Sequence, residues 1–360
     1  WVNDNVDANL FVHRGRAYSG MLLDCADAVY SIRAIFAYEN GLPFYMQDPS
    51  DSRRKITSQI TKFDKIADPA LRFRKFLTYL FGVVGTDSLA NDSYPTAINR
   101  EAVGSGTMII TDRDSHHSWT IQKVLKTGIP YLIFGSRPAV NRLYERVDIP
   151  SMEFMFHDNL TNTRAGFRNW RAPEDIGKPV WQAQGYSNEQ YRIAYSKWRA
   201  TVQKKLSTMN ETDEMRLERL QTGVCTSAQE RITIVQLGLS ALAKLGADQC
   251  MNAKQFDDYS TPNRDKRMHD EFVDLIQAYK AVVAKNKVGS LSSGLRSSLR
   301  EIIEVDAQRG GDLQSKFCRV NVKPGLSLSI GELRRRSLEG LLSSNPHDPA
   351  EARWGDTRFV

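Results

Sequence analysis

The sequence predicts an α+β protein: a helix laid on a small antiparallel sheet, followed by a helical C-terminal region. Three observations carry this expectation. The stretch YSGMLLDCADAVYSIRAIFAYENGLPF (18–44) contains apolar residues at helical spacing between a helix-starting aspartate and a helix-ending Asn-Gly pair. Three short runs rich in β-branched and aromatic residues, GTMIIT (106–111), HSWTIQKVL (117–125) and PYLIFGS (130–136), are broken by the turn signals DRDS and KTG. From about residue 185 the apolar spacing is helical almost to the C-terminus.

Each element has its own start and stop signals. In the first helix Asp24 is the N-cap and Gly41 the stop, and Cys25, Ala28, Val29, Ile32 and Phe36 form one apolar stripe. A loop, PFYMQDPSDSRRK, leads to DPALRFRKFLTYLFGVV, a second helix with Asp68 as N-cap and Pro69 in its first turn. The three strands follow. SNEQYRIAYSKWRATVQKKL reads as a helix capped by Ser187, and similar patterns cover about 211–221, 226–246, 264–286 and 291–308. The C-terminal piece is extended, then helical, then polar.

With 360 residues, 41% hydrophobic and 25% charged, the chain has room for two domains of ordinary globular composition. We expect residues 1–150 to form the core, 151–185 an ordered connecting loop, and 186–360 a helical region packed on that core. Shortage of Gly/Ser linkers argues for such packing. Trp170 and Trp181 would then stand near the cleft and narrow it for substrate.

No apolar run is long enough to span a membrane. The net charge of +7 permits an anionic partner. Basic residues are scattered, however, and no nucleic-acid-binding motif is present, so no nucleic acid is expected. The densest basic run, Arg334–Arg336, reads as a solvated helix face. The chain begins with Trp1 rather than methionine, from which we expect a removed leader and an exported protein, periplasmic or extracellular.

The four cysteines are Cys25, Cys225, Cys250 and Cys318. Cys225 and Cys250 flank one expected helix whose ends lie roughly 30 Å or more apart, so they pair with each other only if that helix breaks. Cys225–Cys318 and Cys250–Cys318 are equally open. Cys25 is the odd thiol in each case.

That thiol opens a helix, where the dipole and unbonded backbone N–H groups favour thiolate and can hold an oxyanion. A nucleophilic cysteine needs a histidine base. Of six histidines, His116 and His117 stand at the mouth of a strand. Alternation puts His117, Trp119 and Ile121 on one strand face and His116, Ser118 and Thr120 on the other. If Trp119 and Ile121 face the helix, His117 faces Cys25.

A cysteine at a helix start, then AVGSGTMIIT, then HHSWTI, then a third strand resembles the NlpC/P60 branch of papain-like cysteine hydrolases. The HSW step is also similar to bacterial transglutaminase-like peptidases. The resemblance spans about residues 18–140 and rests on motif order. It implies a papain-like core, Cys25 as nucleophile and His117 as base. It also implies a Tyr or Gln shortly before the cysteine, a place Tyr18 can fill, and a polar residue on the next strand. PYLIFGS has no Asp, Asn or His, which leaves Tyr131, Ser136 or a backbone carbonyl to orient the base. Asp24, His116, Trp119, Trp170 and Trp181 complete the expected substrate-binding set. The implied reaction is thiol-catalysed amide hydrolysis of peptidoglycan stem peptides or a related cell-envelope peptide, without cofactor or metal. Transamidation uses the same acyl-enzyme, and a non-catalytic scaffold keeping a degenerate hydrolase core is the alternative from another class.

Two other readings are weaker. Asp112, Asp114, His116 and His117 are metal-ligand types in one short loop, but their spacing matches no metal motif. No GxSxG occurs for a serine hydrolase, and GSGT (104–107) lacks the lysine and helix of a phosphate loop.

Overall fold

The computed structural model describes residues 1–111, 117–150, 164–245, 249–304, 317–318, 320–323 and 326–356. Its contacts divide the chain into two compact units, Trp1–Asn210 and Glu211–Val360. Both are built of helices and antiparallel strands, so the fold is α+β as expected.

The first unit is organised around a six-stranded antiparallel sheet. Its strands are β3 (Ser93–Pro95), β4 (Met108–Ile110), β5 (Ser118–Val124), β6 (Pro130–Phe134), β7 (Tyr144–Val147) and β8 (Gly166–Trp170), in the order β3-β8-β4-β5-β6-β7. A separate hairpin pairs β1 (Tyr45–Asp48) with β2 (Asp51–Thr57). The three strands expected from the sequence are β4, β5 and β6. β8 falls in the stretch expected to be a connecting loop, yet it lies between β3 and β4, bonded to both. The sheet therefore cannot close within residues 1–150, and the boundary moves to 210.

Register fixes the two faces of the sheet. Ile109 pairs with Trp119, Ile110 with Ser118, and Thr120 with Ile133. Met108, Ile110 and Ile133 join one core cluster with the helix α2 (Cys25–Glu39), while Ile109, Trp119, Ile121, Leu132, Phe134 and Phe167 join another. The helix of residues Trp198–Leu206 covers the second face with Trp198, Val202 and Leu206. A continuous helix from Ser187 does not form. Residues 189–197 make short 3₁₀ turns because their side chains bond to β8 instead: Gln190 accepts from the Phe167 amide at 2.9 Å and Tyr191 donates to the Ala165 carbonyl at 2.8 Å.

α2 begins and ends where its sequence directs. The Asp24 carboxylate accepts from the amides of Ala26 and Asp27, and the Asp27 carboxylate accepts in return from the Asp24 amide, a complete capping box. At the other end Gly41 adopts φ +62°, which lets the Leu42 amide reach the Ala37 carbonyl at 2.8 Å. The helix is buried on more than one stripe, because α3 (Pro69–Phe81) and α4 (Thr86–Asp92) pack on it as well. Asp68 caps α3 and Pro69 opens it, as read from the sequence.

The second unit pairs two long helices, Asp213–Leu242 and Pro262–Ala284, around a core that includes Leu217, Val224, Phe272, Leu275 and Trp354. The two helical patterns expected on either side of residues 222–225 are one continuous helix, which places Cys225 inside it. Cys225 is bonded to Cys318, and Cys250 is an exposed free thiol. The basic run at 334–336 is not simply solvated. Arg335 and Arg336 pair with Glu332, Arg336 also reaches the Trp354 carbonyl, and Arg334 reaches the Ile303 carbonyl at 2.5 Å. Among the described residues no helix is long and apolar enough to cross a membrane.

Candidate functional site

Cys25 is the first residue of α2 and is buried, 7% exposed. Its Sγ lies 3.8 Å from the hydroxyl of Thr86, the first residue of α4. Ser118, at the start of β5, also acts on the thiol. Burial pushes the thiol above its ordinary pKa, and the neighbouring charge of Asp24 pushes the same way. The contacts with Thr86 and Ser118 oppose them. The expectation of a thiolate favoured by the helix start is therefore reversed. The amides of Ala26 and Asp27, which would have supplied the favourable field, are already bonded to the Asp24 carboxylate.

The N-terminus of α2 is held against the sheet by two further features. The Leu23 amide donates to the Val140 carbonyl at 3.1 Å. Gly135, just beyond β6, must lack a side chain, since a Cβ there would stand 2.1 Å from the Asp24 carbonyl oxygen. Ser118 lies opposite this glycine by continuation of the β5–β6 register. The sheet thus presents small residues where the helix end approaches.

His117 is not on this face. Its ring packs edge-on against Trp119 at 4.4 Å and Phe134 at 5.3 Å, both members of the cluster on the far side of the sheet from α2. Its amide donates to the Thr111 hydroxyl at 2.7 Å. The expectation that Trp119 and Ile121 face the Cys25 helix is overturned. The face bearing Ser118 and Thr120 does so instead. His116, with Asp112 and Asp114 of the proposed metal loop, lies outside the described residues.

The remaining expected site residues are dispersed. Tyr18 is buried against Phe11, and its hydroxyl donates to Glu39 at 2.7 Å at the opposite end of α2, roughly 20 Å from Cys25 along the axis. Burial and the Glu39 bond raise the Tyr18 phenol to about 12. Tyr131 lies on the α2 face but is hydrogen-bonded to Glu145, and with burial this holds its phenol well above the ordinary range. It orients no histidine on the other face. Ser136 contacts the neighbouring Arg137 carbonyl at 3.5 Å. Trp181 is 69% exposed on a 3₁₀ turn. Trp170 packs beneath α2, against Tyr30 and Arg33. Among the described residues, only Asp24 adjoins Cys25 as foreseen.

Sequence reasoning missed Thr86 and Ser118 as the residues that act on the thiol, and Gly135 as the residue beneath the helix start. It also missed Asp27, whose carboxyl burial raises to about 7, with the Asp24 charge adding to the effect. The signal for Ser118 was present in strand alternation, but both faces are apolar and alternation alone does not say which one meets the helix. Among the described residues no group of His, Cys, Asp and Glu is placed to hold a metal ion. Compared with family models, with curated proteins and with solved structures, the chain gives no match.

Proposed function

We propose that the first unit is a thiol-dependent amide hydrolase with a papain-like core, in which Cys25 is the nucleophile and His116 its base. The observation that supports this reading is the placement of Cys25: the first residue of a capped helix, with its sulfur 3.8 Å from the Thr86 hydroxyl and under the influence of Ser118 at the start of β5. Of the histidine doublet, His117 is committed to the opposite face. Strand alternation in the sequence puts His116 on the face of Ser118 and Thr120, and on that ground it is proposed as the base.

The raised thiol sets the order of events. Cys25 rests protonated, so attack on a carbonyl requires the base to take the thiol proton as the carbon–sulfur bond forms. The histidine then gives that proton to the leaving amine, a thioester remains on Cys25, and water releases the acid. The substrate class follows the sequence resemblance: peptidoglycan stem peptides or a related cell-envelope peptide, met by an exported enzyme. An amine in place of water gives transamidation from the same thioester.

A second reading is favoured by the burial of the thiol: a binding protein in which Cys25 is a core side chain. Turnover of stem-peptide fragments in the presence of hydroxylamine separates the two. The hydrolase yields both free acid and hydroxamate, because both nucleophiles intercept one thioester, and Cys25→Ala yields neither. Failure of the full chain to cleave these fragments, or cleavage undiminished in Cys25→Ala, removes the thiol mechanism.

A further inference from the structure

A cavity of about 270 Å³ lies beneath α2, lined by Trp1, Val29, Arg33, Phe36, Thr120 and Trp170 among others. It is smaller than the roughly 300–1,000 Å³ of drug-sized sites, so its occupant is small. The walls are apolar and aromatic, with Trp1 edge-on to Phe36 at 5.6 Å. Ser105, Arg33 and Thr120 bring polar side chains into this lining. The Nη1 of Arg33 and the hydroxyl of Thr120 are buried, and neither has a hydrogen-bond partner among the described residues.

Such groups are costly to leave unmet. A guanidinium N–H taken out of water without an acceptor loses a hydrogen bond that nothing replaces. The acidic group that acts on Arg33, Asp92, is engaged elsewhere: one oxygen accepts from the Tyr30 hydroxyl and the other from the Gln47 amide, each at 2.6 Å. No ion pair to Arg33 exists among the described residues. What holds the guanidinium is aromatic. Its Cζ stands 4.4 Å from the Trp170 ring centre and 5.6 Å from that of Phe44, a cation–π sandwich that fixes its position before any ligand arrives.

We propose that this cavity binds a small monocarboxylate with an apolar body, its carboxylate on Arg33 and Thr120 and its hydrocarbon against Trp1, Phe36 and Trp170. A carboxylate supplies what Arg33 lacks, an acceptor for a charge-assisted hydrogen bond, and the Thr120 hydroxyl donates a second one. Neutral molecules of the same shape recover the apolar contacts and leave the cation unmet. The site stands apart from the thiol chemistry. Thr120 is two residues along β5 from Ser118, roughly 7 Å from the Cys25 contact, and carboxylate binding does not require the sulfur.

The test is calorimetric titration of the full chain with hexanoate and phenylacetate, with hexanamide as the neutral control. The wild type and Cys25→Ala should bind both carboxylates alike and the amide not measurably. Arg33→Met, which keeps an unbranched stem and removes the guanidinium, should weaken carboxylate binding about ten- to a hundredfold. Val2→Phe, filling the cavity from its rim, should abolish binding if Arg33→Met does not fold. No carboxylate binding by the wild type, equal binding of hexanamide, or undiminished binding in a folded Arg33→Met or Val2→Phe overturns the proposal.

Discussion

At Cys25 burial and the adjoining Asp24 charge push the thiol up, and the first-turn amides of Ala26 and Asp27 are spent on the Asp24 carboxylate. A thiol so placed depends wholly on its base. We therefore expect His116→Ala to lower kcat/KM by about 10² to 10⁴, while His117→Ala, whose ring packs on Trp119 and Phe134, should be much milder. The reverse order in a kinetic comparison of the two variants would show that the strand face is misassigned. Asp27 makes a second residue-level prediction. Its folded pKa of about 7 lies above the ordinary 3.8, so the folded protein holds an extra proton between those values. That contribution to stability is full at low pH and is lost as pH rises through the window. Asp92, raised by burial to about 6, acts in the same direction. Asp27→Asn keeps an oxygen to accept the Asp24 amide and removes the titration. Its stability relative to the parent should increase from pH 5 to pH 8, and a difference constant with pH would refute the assignment.

Among the elements, α2, α3 and strands β4 to β6 were legible because each carries its own boundaries: Asp24 and Gly41, Asp68 and Pro69, and the turns between β-branched runs. What was not legible depends on partners distant in sequence. β8 has only Gly166, Phe167 and Trp170 to suggest a strand, and its position is set by pairing with β3 and β4. The segment around Gln190 has helical spacing, but its buried amide bonds to Phe167 and Thr96 hold it in 3₁₀ turns. The face of β5 that meets α2 was undecidable by hydropathy. The deciding feature is steric, the small residues Ser118 and Gly135 beneath the helix end. The Cys225–Cys318 bridge is likewise a tertiary fact, closing a loop with a sequence separation of 93. A loop of that length constrains the unfolded chain by roughly 4.6 kcal/mol. Replacing both cysteines by serine should lower the stability of the second unit by an amount of that order in denaturant unfolding. An unchanged transition would show that the bridge does not hold that unit.

For the whole molecule, the division at residue 210 carries the clearest consequence. Residues 1–210 contain all six strands of the sheet and the helix that covers its second face, with Trp198 and Leu206 in that core. Residues 1–150 lack β8 and leave β3 and β4 without the strand that joins them. We expect the 1–210 fragment to unfold cooperatively and to retain the thiol activity, and the 1–150 fragment to form no cooperative fold. Calorimetry on the two fragments checks this, and a cooperative transition in 1–150 would contradict the role given to β8.

The central claim is that the sulfur of Cys25 carries the acyl group during turnover. Rapid acid quenching of the full chain acting on a stem-peptide substrate, followed by digestion and mass mapping, measures it directly. The account predicts the mass of the acyl fragment on the peptide containing Cys25, discharged by hydroxylamine. Product formation with that peptide unmodified at every quench time, or with the acyl group on another residue, would contradict it.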